Sequence, residues 1–229
     1  MVTESTPQTR IPLSRARVLE AAVALADTEG IESLSMRKLG QELGVEAMSL
    51  YNHVKNKEDL LNGMVDTVLA EVDMTPGGTD WQSAMRHRIL AARAALVRHP
   101  WASGVIESRT DMSPTMITYF DEIIGMFREG GFSMDLIHHG LHALGSRVLG
   151  FSQELFDEGD DLAENPEMAA ILMQQMADHY PNLTAMIAEM NAHEEGSPQV
   201  GPGCDDQVEF EFGIDLLLDG LERLRIAEG

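Results

Sequence analysis

Apolar residues recur at helical spacing along almost the whole chain, and Gly or Pro interrupts each run. In residues 14–30 the periodic positions are Val18, Ala21, Ala22 and Leu25, between a serine that can cap a helix and a glycine that can end one. No segment alternates convincingly between polar and apolar residues, as a half-buried strand would. Because 44% of the residues are hydrophobic and only 5% aromatic, the composition also favours helix over sheet. We therefore predict an all-α protein.

Residues 35–53 show the same pattern as two short helices joined by a tight turn. Ser35 can cap the first of these helices and Gly44 can stop it. Its inward-facing residues are Met36, Leu39 and Leu43. The next helix is predicted from roughly Glu46 to His53 and buries Leu50. The prediction is a helix, a four-residue turn and a second helix.

This arrangement suits the DNA major groove, which admits one helix while the preceding helix braces it across the backbone. Short hydroxyl and amide groups on the exposed face can reach base edges, and Tyr51 and His53 can donate to phosphate oxygens. The residues of that face are Ala47, Met48, Ser49, Tyr51, Asn52 and His53. Any small helical bundle also makes tight helix turns, so the pattern alone leaves DNA binding and a plain bundle both open.

The charge distribution separates the N-terminal segment from the rest of the chain. The formal net charge is -22, yet residues 10–57 have seven Arg or Lys against six acids. Residues 58–229 have nine Arg, no Lys and 31 acids. An acidic body repels phosphate and adds nothing to DNA affinity. Any contact with nucleic acid is therefore expected before residue 60.

The stretch GIESLSMRKLGQELGVEAMSLYNHVKNKEDLL closely resembles the DNA-binding domain of the tetracycline-repressor (TetR) family. The likeness covers residues 15–70 and lies in the Arg-Lys-Leu of the second helix, the Gly-Val turn, LYNHV and KNKEDLL. It implies DNA contacts by Ser35, Arg37, Ser49, Tyr51, His53 and Lys57. It also places Ala47, Met48 and Asn52 at positions that read bases in the family. These three differ from the tetracycline repressor itself, so its operator sequence cannot be transferred.

The chain is predicted to consist of an N-terminal arm (1–14), a three-helix DNA-binding domain with a connecting fourth helix (15–74) and a larger C-terminal domain (75–229). Asn56 can cap the fourth helix, which the resemblance makes the lever between the two domains. Thr75-Pro76-Gly77-Gly78-Thr79 then breaks the chain. The second domain reads as helices throughout, and the resemblance implies ligand binding and dimerisation there.

Two helices of the second domain are predicted to pair with their copies in a symmetric dimer. One runs from Ser133 to about Asp157, and the other is the last helix, DDQVEFEFGIDLLLDGLERLR, which is apolar on more than one side. Shorter helices are expected within 166–193, split at Pro181. Interior helices of a monomer are the alternative, but the family dimerises through its last helix and one other. The expected interface residues are Val148, Leu155, Phe210, Ile214, Leu217 and Leu221.

The resemblance also implies a cavity for a small-molecule effector. Many of the fifteen methionines lie in the second domain, where they can line an adaptable cavity or simply fill the core. The candidate ligand-binding residues are Trp101, Phe127, His139, His142, Arg147 and Phe151. Ile106 and Ser146 stand where the tetracycline repressor has histidines that hold drug and magnesium. Tetracycline is therefore not expected to be the effector.

An enzyme or metal-binding module is the rival class, and the sequence does not favour it. His138 and His142 have a spacing that can ligate zinc, but no third ligand follows at motif spacing. GFSQE lacks the second glycine of a nucleophile elbow. We expect no catalytic residues, no metal and no cofactor.

The same sequence argues against a membrane or secreted protein. One cysteine excludes an internal disulfide, no apolar run is long enough for a membrane span, and the first residues lack the apolar core of a signal peptide. A cytoplasmic location is expected. The working hypothesis is a dimeric repressor that binds a near-palindromic operator and is released by a small molecule.

Overall fold

The computed structural model of the chain describes residues 12–75, 77–109, 111–150, 179–192 and 206–228, with positions 174 and 177. Within these ranges the regular elements are helices, and no strand occurs. The all-α prediction is confirmed. The helices are α1 Arg15–Glu29, α2 Met36–Leu43, α3 Ala47–Leu50, α4 Lys57–Leu69, α5 Trp81–Arg98, α6 Trp101–Glu107, α7 Pro114–Glu129, α8 Met134–Gly150, α9 Pro181–Ala192 and α10 Asp206–Glu228. A short 3-10 helix, Ile31–Ser33, follows α1.

Side-chain caps start the helices where the sequence predicts them. The hydroxyl of Ser14 accepts from the backbone N–H of Arg17, and Ser35 does the same for Lys38. The amide oxygen of Asn56 accepts from the N–H of Asp59 at 2.7 Å. Each cap satisfies one of the backbone donors that the first turn of a helix leaves unpaired.

The backbones of α2 and α3 approach each other closely at Gly40. The N–H of Val45 donates to the carbonyl of Gly40 at 2.9 Å, and Gly44 ends α2 in the left-handed conformation with φ +66°. A Cβ atom on Gly40 would lie 2.9 Å from the Val45 carbonyl oxygen and 3.2 Å from the backbone of Ala47. The turn therefore requires a residue without a side chain at position 40.

A common core lies beneath these helices. α1 packs against α2 and α4, and α2 packs against α3. Val18 and Ala22 from α1, Leu39 from α2 and Leu50 from α3 are fully buried. From α4 the buried residues are Leu60, Gly63, Met64, Val65 and Val68. Burial of these side chains is the main source of stability for such short helices, since isolated helices of this length are marginal in water.

The chain divides into two compact units, Met1–Ile137 and His138–Gly229. The boundary falls within α8, whereas the predicted domain boundary precedes α5. Because α4 packs against α5, α6 and α7, those three helices cluster with the N-terminal helices in the first unit. Trp81, Phe127 and Phe132 form an aromatic cluster there, with edge-to-face contacts from Phe132 to both other rings.

In the second unit, α8 and α10 are joined through Arg147. Its guanidinium donates to the carbonyl of Glu209 and lies 5.5 Å from the ring centroid of Phe210. Close approach of that guanidinium to α10 requires Gly213, where a Cβ would lie 2.7 Å from Arg147 Nε. Within the described ranges, no helix is both long enough and apolar enough to cross a membrane.

Two predicted helix boundaries differ from the structure. α3 is one turn long, and residues 51–53 continue it as a turn in which His53 N–H donates to the Leu50 carbonyl. The predicted helix from Glu46 to His53 is therefore too long, because the chain tightens to i→i+3 bonds before it turns into α4. The predicted extension of α8 beyond Gly150 lies outside the described residues. α9 begins at Pro181, as predicted.

We expect Gly40→Ala to destabilise the protein by about 1–3 kcal/mol, because its methyl group meets backbone that cannot move away without shifting α3. Thermal unfolding measures the change. Gly104→Ala is the matched control, since that exposed helical glycine has nothing within 4 Å of its new Cβ. The control should be neutral or stabilising by up to about 1 kcal/mol. Equal stability of Gly40→Ala and the wild type would contradict the close approach.

Candidate nucleic-acid interface

α3 buries one side chain and presents the others to solvent. Leu50 is fully buried, while Met48 is 75% exposed and Tyr51 is 45% exposed. Asn52 is also exposed, and Ala47, Ser49 and His53 are partly exposed. Within the described residues, the side chains of Tyr51 and Asn52 have no hydrogen-bonding partner. The polar groups predicted to meet DNA are therefore available for it.

The start of α2 places two further predicted contacts at the surface. Ser35 is exposed, and its hydroxyl accepts the capping bond from Lys38 N at 3.2 Å. The hydroxyl proton therefore remains available to a phosphate oxygen. Arg37 is exposed, and it makes no ion pair within the described residues. Lys38 instead forms an intramolecular ion pair with Glu29 of α1, so its charge is neutralised without a phosphate.

The start of α4 places another predicted contact at the surface. Lys57 is the first residue of this 13-residue helix and is exposed. Glu58 and Asp59 lie in the same first turn and offset the attraction of the helix dipole for an anion. A phosphate contact here therefore depends on the Lys57 ammonium. The position fits the predicted role of Lys57.

Arg15 holds the segment from His53 to Asp59 in place, a role that the sequence analysis did not predict. Arg15 Nη1 donates to the carbonyl of His53 at 2.9 Å and to Asp59 at 3.0 Å, while Nη2 donates to the other Asp59 oxygen at 2.8 Å. Asp59 also accepts from the backbone N–H of Lys55 at 2.8 Å. One arginine of α1 thus fixes the end of the α3 segment and the start of α4. Its partners lie 38 and 44 residues away in sequence, where no motif links them.

The hydrogen bonds between Arg15 and Asp59 shift the pKa of both groups. The hydrogen bond from Arg15 holds the pKa of the Asp59 carboxyl below its usual range, and the Lys55 backbone bond lowers it further. The same bond raises the pKa of Arg15. Because the pKa of Asp59 is depressed in the folded state, its contribution to stability is present at neutral pH and is lost on acidification through the folded pKa.

The predicted ligand-binding residues have varied surroundings. In the first unit, Trp101 is buried and its indole N–H donates to Asp27 at 2.7 Å, while Phe127 lies in the aromatic cluster. In the second unit, His139 and His142 are exposed. Arg147 is bound to α10, and Phe151 lies outside the described residues. No group of three or more metal-binding side chains occurs in the described part of the chain.

Comparison with known proteins decides the family. Residues 18–64 match the family model described as bacterial regulatory proteins of the tetR family, and residues 75–225 match the tetracyclin repressor-like C-terminal domain. The chain belongs to the TetR family. The first match spans α1 through most of α4, including the α2–α3 turn. The relatives of this chain are named as transcriptional repressors, so a catalytic activity is not the function of this family.

The similar proteins include repressors and a ligand complex. The HTH-type transcriptional repressor DrrR1 of Streptomyces coeruleorubidus is 30% identical over 91% of this chain and 77% of its own length. The class D tetracycline repressor of Escherichia coli is 28% identical over 92% of this chain and 89% of its own length. The Streptomyces coelicolor TetR family protein ActR, in complex with actinorhodin, has a TM-score of 0.68 and 25% identity, covering 94% and 99% of the two chains.

Lys57→Ala should weaken binding to all duplexes alike and reduce the salt slope of log affinity by about one unit, the effect of one lost phosphate contact. Arg15→Ala should weaken binding without changing that slope. Its guanidinium is ion-paired with Asp59 and hydrogen-bonded to the His53 carbonyl, so it makes no phosphate contact. Fluorescence anisotropy at several salt concentrations measures both. Arg128→Ala, an exposed cation on α7, is the control for net charge. An unchanged slope in Lys57→Ala would remove that residue from the interface.

Asn52→Ala should cost about 1–3 kcal/mol on the preferred site and little on random DNA, because Asn can pair bidentately with adenine. Tyr51→Phe should weaken both, since we assign its hydroxyl to a phosphate. Selection of preferred duplexes from a random pool, followed by affinity measurement, separates the two effects. If wild type and Asn52→Ala select the same motif with equal preference at every position, Asn52 reads no base.

Proposed function

We propose that this protein is a ligand-responsive transcriptional repressor that acts on DNA in the cytoplasm. The observation that supports this best is the exposure of Tyr51 and Asn52, which directly follow α3, together with that of the cations Arg37 in α2 and Lys57 at the start of α4. These side chains match the predicted base-reading and phosphate-binding set. The relatives named as repressors support the negative direction of regulation.

The repressor acts as a homodimer that places one α3 in each of two major grooves. A two-fold symmetric protein binds two half-sites related by the same symmetry, so the operator is a near-palindrome. Half-site centres then lie about one helical turn of DNA apart, or a multiple of it. This spacing links the shape of the dimer directly to the sequence that it recognises.

The face of α10 that remains uncovered supports this assembly. Phe212, Leu216 and Leu224 are 61%, 54% and 55% exposed, and they lie on one side of the helix. Three residues predicted for the interface instead face the core of their own chain: Phe210, Ile214 and Leu221. Val148 and Leu217 are partly exposed, and Leu155 lies outside the described residues. We therefore place the centre of the dimer contact on the exposed side of α10.

The effector is a small molecule bound by the C-terminal domain. The ActR complex with actinorhodin supports such a ligand in a protein of similar fold. Tetracycline is a poor candidate despite the likeness to tetracycline repressors, because Ile106 and Ser146 replace the histidines of the tetracycline and magnesium site. Neither replacement offers an imidazole to a metal. Tetracycline should therefore not release the protein from its operator.

Release from DNA works through α4, which is bound to the helices that follow it. Asp66 accepts from the hydroxyl of Ser113 at the start of α7. Beyond α4, the carbonyl of Met74 accepts from the buried Arg88 of α5 at 3.1 Å, and Arg88 also pairs with Glu122 of α7. A ligand that fits only when these helices shift displaces α4 and moves the two α3 helices of the dimer apart. The ligand then weakens DNA binding by the same factor as DNA weakens ligand binding.

The proposal is tested by selecting duplexes from fragments that surround the coding sequence, followed by reporter transcription with and without the protein. Selective binding to a near-palindrome and repression from it are expected. Compounds that release the protein from this duplex in a fluorescence screen identify the effector class. Absence of any sequence-selective duplex would contradict the function.

Leu216→Glu should weaken the dimer by about 2 kcal/mol or more, because the partner buries an uncompensated charge. Sedimentation equilibrium measures the dissociation constant. Val97→Glu is the matched control: Val97 is 58% exposed on α5, outside the proposed interface, so this variant should remain dimeric. A wild-type chain that is monomeric at micromolar concentration would refute the dimer, and an unaffected Leu216→Glu dimer would refute this interface.

A further inference from the structure

The side chain of Met48 points away from the core beneath α3. Leu50, two residues later in the same helix, is fully buried, and two residues of an α-helix correspond to about 200° of rotation. Residue 48 therefore lies on nearly the opposite side of α3 from the core. Met48 is 75% exposed, and no residue in the described ranges forms a hydrogen bond with its sulfur. The thioether is free to contact a partner.

Met48 reaches further from α3 than its exposed neighbours in that helix. Ala47 and Ser49 are only partly exposed, and their side chains are short. The side chain of Met48 is long, unbranched and flexible, so it can adapt to the surface that it meets. If α3 lies in the major groove, as proposed, the thioether is the part of the helix that extends deepest toward the base edges.

The chemistry of the thioether restricts what it can recognise there. It has no hydrogen-bond donor and is only a weak acceptor. The base edges in the major groove present donors and acceptors, apart from the methyl group at C5 of thymine. A thioether placed against a donor or acceptor would remove its water without replacing the hydrogen bond. Against the thymine methyl group no hydrogen bond is lost, and apolar surface is buried on both sides.

We propose that Met48 is a specificity-determining residue that reads the methyl group at C5 of a pyrimidine in each half-site of the operator. This inference rests on the proposed operator binding, and it names the group that one position of the operator presents. Thymine supplies that group, and 5-methylcytosine has the same methyl group at the same ring position. Met48 therefore selects for the methyl group and not for the pairing edge of the base.

Replacement of thymine by uracil isolates this contact from the others. The substitution removes one methyl group and leaves every hydrogen-bonding group of the base pair in place. A polar contact, such as the one expected between Asn52 and adenine, is therefore retained. A contact made by the thioether of Met48 loses its partner.

The test begins with the operator selected by the wild-type protein. Each thymine is replaced in turn by deoxyuridine, symmetrically in both half-sites, and fluorescence anisotropy measures the affinities of wild type and Met48→Ala. At one thymine position, wild type should bind about two- to fourfold more weakly per substituted half-site, the effect of one buried methyl group less the cost of ordering a flexible side chain. For both half-sites together the loss should be about four- to fifteenfold.

Met48→Ala should bind the thymine and uracil duplexes equally at that position, because its side chain is too short to contact the methyl group. Responses at other thymines, through Ala47 or the shape of the duplex, should be the same in both proteins. The ratio between the two proteins therefore reports the contact of Met48 alone.

Further variants separate the apolar contact from a general effect of substitution. Met48→Leu should retain most of the discrimination, because it keeps an apolar side chain of similar volume. Met48→Gln, which has similar length but a polar amide, should lose it. Met134→Ala is the matched control: Met134 is 63% exposed on α8, so its loss should leave the thymine-to-uracil ratio at the wild-type value. None of these changes removes a buried side chain, and thermal unfolding should confirm equal stability.

A second set of duplexes has cytosine or 5-methylcytosine at the same position. For wild type, methylation of the cytosine should raise affinity by about two- to fourfold per half-site, the same factor as for thymine over uracil. For Met48→Ala, the two duplexes should bind equally. The comparison shows whether the methyl group is recognised when a different base supplies it.

Equal thymine-to-uracil ratios of wild type and Met48→Ala at every position would overturn the inference, as would a selected operator that contains no thymine. Discrimination against uracil without any response to 5-methylcytosine would also overturn it, because both bases place the methyl group at the same point in the groove. The proposed function fails separately. A protein that selects no duplex refutes operator binding, whereas selective binding without the ratio refutes only the role of Met48.

Discussion

The orientation of α3 depends on contacts at its two ends, because one helical turn has too few hydrogen bonds of its own to hold a position. At its start, the bond from Val45 to Gly40 brings the backbones of α2 and α3 together. At its end, Arg15 binds the carbonyl of His53. Between them, Leu50 fills the core beneath the helix. The exposed side chains of α3 contribute to none of these contacts.

The cations of the N-terminal segment fall into two groups, those paired with carboxylates of the protein and those that are unpaired. A count of charged residues does not distinguish the two groups. Lys38 pairs with Glu29, and Arg15 pairs with Asp59, so both charges are neutralised within the protein. Arg37 in α2 and Lys57 at the start of α4 are exposed. In a chain of net charge -22, a small number of unpaired cations then supplies the attraction to phosphate.

Local features of the fold were predictable from the sequence. Ser14, Ser35 and Asn56 cap helices as expected, and Gly44 adopts the left-handed conformation. These features depend on neighbours within four residues, which a single sequence displays. The end of α3 was misplaced because the tightening of residues 51–53 depends on where α4 begins and on the Arg15 contact.

Long-range polar contacts could not be predicted from the sequence, because the residues that form them are far apart in the chain. Asp27 lies 72 residues before His99, whose Nδ1 is 2.8 Å from the Asp27 carboxylate, and no sequence motif links the two residues. Arg15 and Asp59 are separated by 44 residues. The packing of α1 on α4 brings Arg15 and Asp59 together. The predicted surface of α3 needed no such information, since Leu50 sets the buried side and the remaining positions follow from helical geometry.

The side chains that hold α3 in place are separate from those proposed to face DNA, and this separation affects how such a regulator can evolve. Ala47, Met48 and Asn52 project from a segment whose position is fixed by Gly40, Arg15 and Leu50. Under the proposed function, substitutions at these positions change which bases are preferred with little effect on folding, because they remove no buried contact. A duplicated copy can therefore acquire a new target site through a few tolerated mutations while its scaffold stays the same.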